Sequence, residues 1–252
     1  MTMRLITSQT LRFPGEKQEY VVHLRKLGDG ASLGPDRRDI HDGFSLTRET
    51  TTFAAFWGHD SDKVTSMNQQ PNQYLSPLST PHRGRKLRKT EDLWPLAGTL
   101  LLAERLRLNT QRVVAVRLDR PVLSNVWWPV TLRKHSPPVE KALTLWLNST
   151  LGLLVLLSHR EETEGSWVDF KKPVLSAMPV LDCSKLSPER LSKLATAFDE
   201  IADSALLPLP RMGSDPIHEK IDKAISEALG LPDLNPLQRL LAQEPIVSSN
   251  RL

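Results

Sequence analysis

The stretch SPPVEKALTLWLNSTLGLLVLLS, residues 136–158, constrains the fold of this chain more than any other. Ser136 offers an N-cap oxygen, and Pro137 and Pro138 suit a first helical turn, where a missing N–H costs no hydrogen bond. Val139, Ala142, Leu143 and Trp146 then recur at i, i+3, i+4 and i+7, which predicts a helix with one apolar face. Gly152 is expected to interrupt or end it. LGLLVLLS, 151–158, falls short of the roughly 18 uninterrupted apolar residues of a membrane span and reads as buried core.

The flanking sequence supplies the elements that could cover this core. Residues 1 to about 80 alternate short apolar runs, such as YVVHL at 20–24 and TTFAAFWG at 51–58, with turn formers, the pattern of short strands and long loops. RVVAVRL, 112–118, predicts a buried strand ended by Pro121. SNVWWPVTL, 124–132, predicts another, with Trp127 and Trp128 on opposite faces, one in the core and one partly exposed. GSWVDFKK at 165–172 and MPVLD at 178–182 read as short strands separated by one helical turn, KPVLSAM.

Beyond Asp182 the pattern turns helical and acidic. Ser187-Pro188-Glu189 opens a helix to about Ser204, and Asp215-Pro216 opens another that Gly230 stops. In the latter, Ile221, Ala224, Ile225, Ala228 and Leu229 form an apolar face suited to closing a core. The expectation is an α+β fold: a mixed, strand-rich domain over 1–182 and a helical C-terminal segment over 183–252.

Several classes of chemistry find no support. Cys183 is the only cysteine, which excludes an intrachain disulfide and a cysteine-based zinc site. The seven histidines do not pair with carboxylates at zinc-hydrolase spacing, and His59, His82, His135 and His159 read as loop or surface residues. Ser136-Pro137-Pro138-Val139 imitates the loop of amino-group methyltransferases, but Val stands where an aromatic must stack on the flipped base. Asp169 and Lys171 match only the second half of a metal-dependent nuclease motif. No complete catalytic site and no metal site is expected. The N-terminal sequence lacks the apolar core of a signal peptide, so a cytoplasmic protein without a membrane partner is expected.

Charge is distributed unevenly. Residues 83–120 carry ten Arg/Lys against four Asp/Glu, a net of +6, whereas the whole chain sums to +4. Local cation density of this kind suits a polyanion through phosphate binding and counterion release. Within HRGRKLRK, the side chains of Arg83, Arg85, Lys86, Arg88 and Lys89 are expected to reach outward from a loop, with Arg105, Arg107 and Arg112 continuing the surface. Arg117, on an alternating strand, could instead pair inside the fold. Gln69, Gln70, Asn72, Gln73 and Tyr74 offer groups that could read adenine edges, although turn-capping is the favoured use.

Residues 140–182, EKALTLWLNSTLGLLVLLSHREETEGSWVDFKKPVLSAMPVLD, carry a resemblance to a known family. A helix ending in Leu-Asn-Ser, a glycine-bearing strand, a Lys-containing turn and a short Pro-bearing strand follow in order. The strands SNVWWPVTL and AGTLLLAERLRLNTQRVVAVRL precede them. The series resembles the C-terminal target-recognition region of adenine-N6 DNA methyltransferases of restriction-modification systems. That resemblance implies a specificity module that docks on double-stranded DNA while a separate catalytic methyltransferase domain or subunit holds S-adenosylmethionine; this chain itself would bind no cofactor. The competing readings are a protein-binding scaffold of a phage-defence complex and a free-standing nuclease.

Overall fold

The structure, a computed structural model, describes residues 9–13, 19–58, 60–162 and 167–248. In chain order the strands are β1 (Thr10–Phe13), β2 (Tyr20–Lys26), β3 (Ala31–Leu33), β4 (Phe44–Thr47), β5 (Ala54–Phe56), β6 (Asn68–Gln69), β7 (Gln73–Pro77), β8 (Gly98–Ala103), β9 (Arg105–Arg107), β10 (Ala115–Ser124), β11 (Trp127–Leu132), β12 (Glu161–Glu162), β13 (Trp167–Asp169) and β14 (Pro179–Leu181). The helices are α1 (Leu27–Gly30), α2 (Arg37–Gly43), α3 (Thr90–Leu93), α4 (Pro137–Asn148), α5 (Thr150–Ser158), α6 (Lys172–Ala177), α7 (Pro188–Ile201), α8 (Pro216–Leu229), α9 (Asn235–Gln243) and α10 (Pro245–Ser248). The fold is α+β, as the sequence predicts.

An eight-stranded sheet in the order β3-β11-β8-β10-β5-β7-β4, with β6 alongside β10, forms the centre. Its interior strand β8, GTLLLA, carries Leu100, Leu101 and Leu102, all fully buried, because both faces of the sheet are covered there. Each such leucine contributes roughly 1.5–3 kcal/mol by leaving water. β10 pairs antiparallel with β8 but parallel with β5 and β6. Two three-stranded sheets, β1-β2-β14 and β12-β13-β9, flank the large one.

Three local expectations change on folding. Pro121 does not end its strand: β10 continues to Ser124, and its register against β8 shifts between Arg117 and Val122, where a residue without an N–H is tolerated. Trp127 and Trp128 do point to opposite faces, but both are buried; the Trp128 indole N–H donates to the Phe170 carbonyl at 2.9 Å. The third concerns 151–158, which the family resemblance implies to be a strand and which is the helix α5. Ser149 caps it by accepting from the Gly152 N–H at 3.2 Å, and its seven buried residues leave no polar face for periodicity to reveal.

α4 starts at Ser136 with Pro137 and Pro138 in its first turn, and Ala142, Leu143 and Trp146 are buried as expected. Its Glu140 is buried too, accepting from Thr99 Oγ1 at 2.9 Å and facing Arg117 Nε at 3.4 Å and His135 Nδ1 at 3.5 Å. Arg117 thus pairs within the fold. α7 and α8 pack on α4, and Leu194, Phe198, Ile221 and Ile225 join the same hydrophobic core as β8 and β10. Residues beyond 183 therefore close the core, the use expected of the amphipathic face of α8. A second, smaller core of Ile40, Phe44, Ala55, Leu75, Leu93, Ala97 and Leu123 supports the region around the basic segment.

Candidate nucleic-acid interface

The basic segment 82–89 is a loop, as predicted, but it is laid down along α2 by specific contacts. α2 begins at Asp36, whose carboxylate accepts from Arg38 N at 2.8 Å and Asp39 N at 3.0 Å. Two acids of this helix then face the loop. Asp39 Oδ1 accepts from Arg88 Nε at 2.8 Å and Nη2 at 2.5 Å. Asp42 Oδ2 accepts from Arg85 Nη2 at 2.5 Å, with Arg85 Nε also against Asp42 Oδ1.

The hydrogen bond from Arg85 holds the Asp42 carboxyl below the usual carboxylate range, and the same bond raises Arg85. The backbone completes the docking. Arg88 N donates to Asp42 O at 3.1 Å, and His82 Nε2 meets His41 O at 3.1 Å while the two imidazoles stack at 4.3 Å. Gly43 packs tightly against the loop: a Cβ would come within 2.5 Å of Leu93 Cδ1 and 3.1 Å of Arg88 O, so either neighbour would have to shift. Gly84 turns the loop at φ +74°.

The eight cations singled out in the sequence therefore divide. Arg85 and Arg88 do not reach outward freely, because acids more than 40 residues upstream claim both guanidinium groups. Arg83, Lys86 and Lys89 are exposed, and their side chains have no hydrogen bond or ion pair among the described residues. Arg105 and Arg107 lie on β9, either side of the buried Leu106. Arg105 Nε sits 3.1 Å from Asp169 Oδ1, and its guanidinium lies 5.0 Å from the centre of the Trp167 ring. Arg112 is spent on the fold: Nε donates to Ser61 O at 3.2 Å and Nη1 to Leu206 O at 2.9 Å.

The amide cluster divides similarly. Asn72 brackets Trp57, accepting from its N–H at 2.7 Å and donating to its carbonyl at 2.9 Å, and Gln69 donates to Ser66 O at 3.0 Å. Gln70 and Gln73 remain exposed, with no side-chain hydrogen bond among the described residues. Two further exposed cations, Arg37 and Arg38, open α2 beside the loop. Net charge hid them, because Asp36, Asp39 and Asp42 cancel them in any window count.

Asp169 and Lys171, the half-motif of a nuclease, are each ion-paired on the β12-β13-β9 sheet or beside it. Asp169 is engaged by Arg105 and Lys171 by Glu161. Among the described residues, no group of three or more His, Cys, Asp or Glu is placed to hold a metal ion. Glu104, near Asp169, is pushed up to about 7, first by burial and then by the charges of Asp36 and Asp169. Ser136-Pro137-Pro138-Val139 is the start of α4. His59 lies outside the described residues. No single helix among the described residues is long and apolar enough to cross a membrane.

No protein-family model matches the chain, and no curated protein matches it. A solved structure does: the crystal structure of the type IIG restriction endonuclease BpuSI superimposes with a TM-score of 0.51 at 11% sequence identity. The match covers 89% of this chain but only 31% of that one. This chain thus shares its fold, across nearly all of its length, with about a third of a type IIG restriction endonuclease.

Proposed function

We propose that this chain is the DNA-binding specificity module of an adenine-N6 DNA methylation system, working with a separate catalytic domain or subunit that carries S-adenosylmethionine. The reading rests on one observation above others: nearly the whole chain has the fold of one part of a restriction enzyme. Three cations on the docked loop that are unpaired among the described residues, Arg83, Lys86 and Lys89, add to it. Arg83, Lys86 and Lys89 bind phosphates, with Arg37 and Arg38 beside them. Arg85 and Arg88 act as latches that hold the loop's shape against α2. Gln70 and Gln73 are the amides left to bond adenine edges.

The test is fluorescence anisotropy of duplex DNA with the purified chain across about 50–200 mM salt. Log K should fall linearly with log[salt], and the triple change Arg83→Ala, Lys86→Ala, Lys89→Ala should flatten the slope by about 0.9 for each phosphate that is no longer neutralised. A slope identical in the two proteins would rule out this loop as the phosphate-binding surface. Absence of duplex binding at any salt would favour a protein-binding scaffold.

A further inference from the structure

A second feature stands apart from the basic loop. A cavity of about 420 Å³ opens between the β2–α1–β3 turn, the end of β11, the first turns of α4, and β14. Its size falls within the range of small-molecule pockets. The floor is aliphatic: Leu27, Leu132, Val139, Leu143, Val180 and Leu181. Cys183 adds to it as a neutral thiol, pushed up to about 12 mainly by burial. The rim is cationic, with Arg25, Lys26, Arg133 and Lys134 against the carboxylate of Asp29.

The rim is partly pre-set. Arg133 Nη2 donates to Gly28 O at 3.0 Å, and Arg133 N donates to Gly30 O at 3.0 Å. The Arg25 guanidinium lies along Gly30, where a Cβ would come within 3.0 Å of its Cζ, and sits 4.0 Å from Asp182 Oδ1. Lys26 and Lys134 are exposed, with no side-chain partner among the described residues. Ser136 also lines the cavity, and its hydroxyl makes no capping bond to α4. The positive end of that helix dipole adds to the field at the mouth.

We propose that this cavity binds a small amphipathic anion, an aliphatic body with one terminal carboxylate or phosphate. The body would fill the aliphatic floor, and the anionic head would be held by the rim arginines and lysines. No aromatic side chain among the described residues lines the cavity, so it lacks the stacking platform a nucleobase uses. An aliphatic body suits it better than a nucleotide.

The experiment is calorimetric titration of the full chain with sodium decanoate and with decyl phosphate, using decanol as the uncharged control. One-to-one binding of an anion, at least about tenfold tighter than decanol, is expected. The exposed double variant Lys26→Glu, Lys134→Glu should weaken anion binding about tenfold while leaving decanol unchanged. Val139→Trp, which fills the cavity, should abolish both; circular dichroism and thermal melting would verify that each variant folds. Equal binding of decanoate and decanol, several anions per chain, or wild-type affinity in the charge-reversed variant would overturn the proposal. Displacement of decanoate by duplex DNA would also overturn it, assigning the rim to the nucleic-acid surface instead.

Discussion

Arg85 of the basic loop is held by Asp42 of α2, 43 residues earlier in the chain, through an Nη2–Oδ2 contact of 2.5 Å and a second contact from Nε to Oδ1. The pair organises a loop rather than a core. Asp42→Asn should therefore speed hydrogen exchange at Arg88 N–H, which donates to the Asp42 carbonyl, while hardly moving the urea midpoint. Unchanged exchange would mean that backbone hydrogen bonds alone dock the loop.

Asn148, at the end of α4, joins that helix to the sheet. Its carboxamide accepts from Val114 N at 2.8 Å and donates to Ala115 O at 2.8 Å, and all of these groups are buried. Asn148→Ala strands two backbone groups without water, so a loss of about 2–4 kcal/mol is expected in urea unfolding. A loss no larger than that of an exposed alanine substitution would show that water enters to replace the amide.

Two buried groups on α8 give stability a pH dependence of opposite sign. Asp222, bonded to Thr150 N, Thr150 Oγ1 and Gln238 Nε2, is pushed by burial from 3.8 up to about 6. The folded state then binds its proton more tightly than the unfolded state. Its contribution is full below about 3.8 and lost as pH rises through about 6. His218, whose ring nitrogens have no hydrogen-bond partner among the described residues, is lowered by burial from 6.5 to about 4. Its contribution is present above 6.5 and lost as pH falls through about 4. Relative to wild type, His218→Leu should lose less stability between pH 6.5 and 4, and Asp222→Asn less between pH 4 and 6. Parallel pH curves for wild type and variants would contradict both assignments.

Removing the C-terminal helices should expose the core. α7 and α8 cover α4, and Leu194, Phe198, Ile221 and Ile225 sit in the main hydrophobic cluster. A chain ending at Leu186 is expected to aggregate or to bind a hydrophobic dye strongly. A well-dispersed spectrum from that fragment would make 1–182 an independent domain.

What the sequence revealed followed from local chemistry. Pro137 and Pro138 in the first turn and the 3.6-residue spacing announced α4, although the Ser136 hydroxyl makes no capping bond, and Gly230, at φ +68°, announced the end of α8. Segment 151–158 was ambiguous because a stretch buried on every side shows no period, and only the Ser149 cap separates helix from strand. Trp127 and Trp128 misled because alternation reports which face a side chain takes, not whether that face is covered. At the interface the positive segment was legible, but its division into latches and free cations was not. That division depends on Asp39 and Asp42, which tertiary folding brings in from far upstream.

The bend between α4 and α5 has one more consequence. The two helices diverge by 73° across Ser149, and a Cβ on residue 152 would lie 1.9 Å from the Trp146 carbonyl oxygen, so only glycine lets the first turn of α5 pack this close to the end of α4. Stacked end to end, Pro137 through Ser158 would make a rod about as long as a lipid bilayer is thick. The bend at Ser149, which Gly152 makes possible, thus folds the most apolar stretch of the chain into a corner of the core instead of a straight rod.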